Sequence, residues 1–189
     1  MIGFYIFLGI LLVLLIGLLL WAVSTYNSLI TMRNNADEGY STMDVYLKKR
    51  YDLIPNLVET VKGYAKHESS TLENVVKARN LAMGSTNLQE KMANEAALTK
   101  ELKTLLNVVV EQYPTLKADQ NFIDLQNSLK NIETEIANAR KYYNGAVKVY
   151  NVKREVFPSS IIANMYKFEK KPLFEIEDGE ERKAVKVQF

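Results

Sequence analysis

The chain holds one histidine, His67, and no cysteine. Thiolate catalysis, disulfides and cysteine-ligated zinc are therefore excluded. His67-Glu68 does not grow into His-Glu-x-x-His, because Thr71 stands where the second histidine would be. A Ser/His/Asp triad would hang on His67 alone, and no serine sits in a Gly-x-Ser-x-Gly elbow. A di-metal site in a helical bundle needs two Glu-x-x-His motifs, which one histidine cannot supply. The reading of His67 is a solvated residue near a helix break, with no catalytic residue, metal or cofactor expected.

The remaining polar residues suit a structural role. Asp37 and Asp44 share a helix face at i, i+7, and Arg33 lies four residues before Asp37. Glu133 and Arg140 share a face of a later helix in the same way. Ion pairs between helices are expected, with Arg33, Arg50, Arg79 and Arg140 facing Asp37, Asp44, Glu73 and Glu133. Pairs of this kind set register more than they stabilise. The dipeptide Tyr-Asn recurs at Tyr26-Asn27, Tyr143-Asn144 and Tyr150-Asn151. A tyrosine ring can pack while its hydroxyl finds a partner, and an asparagine amide can bond across helices. Tyr143, Asn144, Tyr150 and Asn151 are thus read as polar contacts between helices.

Positioning those residues requires helices, and the apolar pattern supplies them. Tyr26, Leu29, Arg33, Ala36, Tyr40, Met43, Leu47, Arg50 and Ile54 step by three and four without a miss. That is a coiled-coil-like seam. A second seam runs Phe122, Leu125, Leu129, Ile132, Ile136, Ala139, Tyr143, Ala146, Tyr150, Lys153, Phe157, and Pro158 stops it. A third, from Leu88 through Glu95 and Thr99 to Tyr113, ends before Pro114. Asp52 and Pro55 look like the cap and first turn of a new helix, which places a turn there. A further break near His67 is an alternative, with Ser70 to Glu73 as a capping box. Short links force antiparallel neighbours. The expected fold is all-α: an N-terminal transmembrane helix continuous with an antiparallel bundle of about four long helices.

The stretch Ile2 to Val23 has 22 residues and no charge, and the first charged side chain is Arg33. At its helical rise it spans roughly 33 Å, the thickness of a bilayer core. Tyr5 and Trp21 near its ends, with Tyr26 just beyond, are expected at the membrane interface. A cleaved signal peptide fits less well: there is no basic region ahead of the span, and the apolar run is too long. No Pro or Gly interrupts Ala22 to Glu38. The membrane helix is therefore expected to run on as a rod of about 50 residues, roughly 75 Å long. Basic residues follow the span and none precedes it, which points to a cytoplasmic bundle.

The expected division is a transmembrane helix over 1–24, a bundle over 25–166 and a C-terminal tail over 167–189. Ser159 is read as capping a short helix, Ile161 to Tyr166. Asp178-Gly179, followed by alternating Val185, Val187 and Phe189, is a faint hairpin signal. A flexible tail is the competing reading. With 24 basic and 22 acidic residues scattered along 189, nothing argues for nucleic acid.

The run YNSLITMRNNADEGYSTMDVYLKKRYDLIPNLVETVKGYAKHE, the later ARKYYNGAVKVYNVKREVFPSSIIA and the closing KVQF resemble the bacterial LemA family. The resemblance covers about Tyr26 to Phe189. It implies a single N-terminal membrane helix, an antiparallel bundle and an inner-membrane location, and it brings no catalytic residue. The function expected is a non-enzymatic, membrane-anchored scaffold or self-assembling envelope protein acting as a homo-oligomer. The alternative is a regulatory adaptor that docks a membrane protease, sensor kinase or secretion component.

Overall fold

The computed structural model of the chain describes residues 1–65 and 68–175. His67 and the hairpin signal at Asp178-Gly179 lie outside them. Among the described residues six helices follow in order: α1 (Ile2–Tyr64), α2 (Ser69–Gly84), α3 (Leu88–Gln112), α4 (Pro114–Lys117), α5 (Gln120–Glu155) and α6 (Ser159–Met165). The described residues are thus all-α, with α1, α2, α3 and α5 forming the antiparallel bundle. Two compact units divide the chain, residues 1–41 with 141–173 and residues 42–140 with 174–189.

In the second unit, Met43, Leu47, Ile54, Leu57 and Val61 of α1 are buried. So are Leu72 and Val75 of α2, Leu98 and Leu105 of α3, and Phe122 and Leu129 of α5. Each such side chain contributes about 1.5–3 kcal/mol of hydrophobic free energy. The turn expected at Asp52–Pro55 is absent, because α1 passes through Pro55 unbroken. A proline inside a helix strips the carbonyl four residues earlier of its donor. Here that carbonyl belongs to Tyr51, and Arg79 Nε of α2 donates to it at 2.6 Å. Arg79, expected in an ion pair, instead repairs the helix. α1 ends at Tyr64, and α2 begins at Ser69. No side-chain hydrogen bond caps α2 there, so the Ser70–Glu73 box is not used. Asn87 does cap α3, accepting from the backbone N–H of Glu90 at 2.8 Å.

In the first unit, α5 runs back along α1. The Tyr40 and Tyr143 rings lie 5.8 Å apart, and Leu29, Tyr150, Ile162, Ala163 and Phe168 form one core cluster. Gly39 lets the two helices approach: a Cβ there would stand 3.1 Å from Tyr143 Cα and 3.0 Å from the Tyr142 ring. Because the first of these atoms is backbone, Gly39→Ala is expected to destabilise by about 1–3 kcal/mol. Urea denaturation in detergent measures this, and an unchanged midpoint would show that the helices separate freely. Ser159 closes α5 instead of capping α6, its Oγ donating to the carbonyls of Lys153 at 2.6 Å and Val156 at 3.0 Å. The Lys153 carbonyl is among the orphans of a helix C-terminus. The last seam position also departs from the pattern: Phe157 is 81% exposed. α5 has ended by then, and α6 folds back so that Ile162 and Ala163 fill the space against Leu29.

Candidate functional site

Two polar constellations stand out, one in each unit. In the second unit, Arg50 of the first seam and Glu95 of the third are both only 1% exposed and form an ion pair. Arg50 Nη1 also donates to Glu133 Oε1 at 2.8 Å and to Thr99 Oγ1 at 3.1 Å. The Tyr51 hydroxyl donates to Glu95 Oε1. Thr99 Oγ1 in turn donates to the Glu95 carbonyl at 2.9 Å. One guanidinium thus serves two carboxylates on two other helices. Glu133 is 35% exposed and keeps part of its hydration, whereas Glu95 depends on its partners. Arg50 Nε has no hydrogen-bond partner. A cleft of about 640 Å³ opens over the network, with Lys103, Lys130, Arg140 and Phe174 on its walls. Chemically the arrangement is a register key. Its two carboxylates are held by one guanidinium, and a slip of one helix by one turn would strand a buried charge.

In the first unit, side chains of α5 grip the backbone of the segment after α6. The Tyr143 hydroxyl donates to the Pro172 carbonyl at 2.8 Å, and the Tyr150 hydroxyl to that of Glu169 at 2.8 Å. The Asn151 amide donates to the Lys171 carbonyl at 2.8 Å and accepts from the Lys171 N–H at 3.0 Å. Arg154 Nε donates to the Phe168 carbonyl at 2.7 Å. An irregular segment has no ladder of its own to satisfy its backbone groups, and α5 supplies one. The segment enters through a Schellman-like turn, with Lys167 at φ 53° and the Phe168 N–H bonded to the Ala163 carbonyl at 2.9 Å. Lys171 Nζ then pairs with Asp37 at 2.6 Å.

This redistributes the residues singled out in the sequence. Tyr143, Tyr150 and Asn151 bond to the extended segment, not to another helix, because a segment without its own ladder lies within their reach. Asp37 takes Lys171, and Asp44 takes Lys91. Arg33 lies over the Phe168 ring, 5.6 Å from its centre. Trp21 and Tyr26 pack against the core cluster, with Tyr26 4.7 Å from the Tyr166 ring, while Tyr5 is exposed. Sequence reasoning placed Glu95 on a seam but gave it no role. The available signal was that Arg50 and Glu95 are charged members of mostly apolar seams. Among the described residues, no group of three or more His, Cys, Asp or Glu could hold a metal ion.

Burial pushes the Tyr143 hydroxyl above its ordinary value, with Tyr40 and Asp37 adding to the effect. Burial also raises Tyr150, against the opposing charges of Arg33 and Arg154. Both must stay protonated to donate to the segment. The unfolded chain releases these protons near pH 10 and the folded chain holds them longer, so this stability is full below about pH 10 and lost as pH rises through the folded values. Tyr143→Phe/Tyr150→Phe is expected to be less stable at neutral pH, by about 1 kcal/mol per lost bond. Its stability should also fall less steeply above pH 10. Denaturation midpoints measured across that range decide it, and equal alkaline slopes would exclude the two hydroxyls as the cause.

Side chains from Ile2 to Leu20 all face outward on α1. This stretch is long and apolar enough to cross a membrane, and lipid hydrocarbon suits such a surface. The fold therefore defines a class: single-pass, membrane-anchored helical-bundle proteins. The chain belongs to the LemA family, whose pattern it matches over residues 39–189. It is 26% identical to magnetosome protein MamQ 2 of Paramagnetospirillum magneticum, over 79% of this chain and 64% of that protein. The figures are the same for MamQ of Magnetospirillum gryphiswaldense. Protein LemA of Metamycoplasma hominis is 23% identical over 75% of this chain and 64% of its own length. The chain thus spans a little under two thirds of the length of these relatives.

Proposed function

We propose that this protein is a non-enzymatic scaffold of the bacterial inner membrane that self-assembles through its bundle. The observation that carries the reading is α1, which leaves the apolar stretch and enters the packed bundle without a break. A joint without a hinge aligns the bundle with the bilayer, and aligned protomers suit a symmetric oligomer. Tyr5 and Trp21 would mark the two interface levels of the span. The names of the relatives denote a place or a family, not a reaction, which supports the same reading. Light scattering of the full chain in detergent tests it: a particle of two or more copies is expected, and a strict monomer at high concentration overturns self-assembly. The bundle would face the cytoplasm, as the basic residues after the span suggest. Cleavage of the bundle by protease added outside intact cells would reverse that assignment.

One observation favours the second reading, an adaptor for a membrane protease, sensor kinase or secretion component. A groove of about 870 Å³ lies between the end of α1 and α2, lined by Val58, Leu72, Val76 and Leu81. An adaptor would lose its crosslinked partner on Val76→Asp while keeping its oligomeric state. A scaffold without a client in the groove would change neither.

A further inference from the structure

The end of α5, the turn after it and α6 leave six large apolar side chains uncovered. Phe157 is 81% exposed, Met165 63% and Ile161 50%, and Val152, Val156 and Tyr166 are exposed with them. Val152 and Val156 are spaced i, i+4 on and just after α5, as are Ile161 and Met165 on α6, so each pair shares one helix face. A water-facing surface has no use for such a concentration, and a patch of this kind marks an interaction site.

Its height along α1 identifies what covers it. α5 runs antiparallel to α1, with Tyr143 beside Gly39 and Tyr150 in one cluster with Leu29. Phe157 lies seven residues past Tyr150, about two turns or 10 Å further toward the N-terminal end of α1. Trp21 and Ala22 pack directly on the cluster that holds Ile162 and Ala163 of α6. The cluster that holds the buried face of α6 therefore touches the last turn of the apolar run Ile2 to Val23. If hydrocarbon covers that run, the uncovered residues around Phe157 sit at its edge. Charge agrees: residues 148–171 carry six basic side chains (Lys148, Lys153, Arg154, Lys167, Lys170 and Lys171) and two acidic ones, Glu155 and Glu169. That balance suits anionic headgroups.

We propose that the α5–α6 corner is a second membrane contact, dipping Phe157 and Ile161 into the surface of the bilayer that α1 crosses. A spanning helix alone leaves the first unit free to rotate about the helix axis. A second apolar foothold beside it fixes which side of the bundle faces the lipid. The inference rests on the membrane span and not on the scaffold reading.

The absence of native cysteine makes the test direct. Full-length Phe157→Cys, Ile161→Cys, Val13→Cys and Glu38→Cys carry one nitroxide each and are reconstituted into vesicles of phosphatidylcholine and phosphatidylglycerol in equal amounts. Relaxation by oxygen, which enters lipid, is compared with relaxation by a water-soluble nickel chelate. Labels at 157 and 161 are expected about 5–10 Å below the headgroup boundary, the depth of an interfacial apolar face. Glu38, fifteen residues past Val23 on α1, should report water, and Val13 the bilayer interior. Nickel access at 157 and 161 equal to that at 38 overturns the proposal. So does shielding from both reagents, which would mean a protein partner such as a second copy. A label at Val13 that reports water removes the span itself, and the proposal with it.

Discussion

Arg50→Ala is expected to cost about 3–5 kcal/mol of stability, because it leaves a buried carboxylate without its counter-charge. Glu95 is 1% exposed and cannot recover hydration in place. Glu133, which also loses its bond to Arg50, can turn toward water. The cost should come mostly from the stranded charge and not from a favourable pair, and that distinction can be measured. Arg50→Met combined with Glu95→Leu removes both charges and keeps volume, so it should be much milder than either single change. A double-mutant cycle by urea denaturation in detergent gives the coupling. Arg50→Ala within about 0.5 kcal/mol of the parent, the range of ordinary surface changes, would mean that the network is open to water in solution.

The second large effect is expected at Phe168, which is 6% exposed and packs with Leu29, Tyr150 and Ile162. Phe168→Ala should cost about 3–5 kcal/mol, the range for deleting a buried ring. It also takes the ring from beneath Arg33 and from beside Tyr26, whose ring centre is 5.8 Å away. Because Phe168 is the first anchor of the segment that α5 grips, hydrogen exchange should quicken from Ser159 to Leu173. Amides in the middle of α3 should keep more of their protection. Uniform quickening along the whole chain would show that the segment is no separate element of the fold.

Helix content and most of the buried face were legible because they follow from local spacing. Leu29, Ala36, Met43, Leu47 and Ile54 all sit on the seam read from period alone, and all are buried. The turn at Pro55 was misplaced for a physical reason. A proline announces a lost hydrogen bond but not whether a distant arginine replaces it. The Tyr-Asn spacing named no partner: Tyr143, Tyr150 and Asn151 bond to backbone carbonyls some 20 to 30 residues away, which no local pattern encodes. Phe157 was the mirror case, in phase with the seam but past the point where a neighbour remained to cover it.

By itself the sequence determined the uncharged apolar run, the helical periods, the lack of thiol chemistry and the family resemblance, all properties of residue type and spacing along the chain. Tertiary structure alone decided that Arg50 meets Glu95, that Arg79 completes the helix at Pro55 and that α5 holds residues 168–172. Each of these joins groups far apart in sequence, where the loss of chain entropy is offset by packing around the contact, and neither quantity is written in a local pattern.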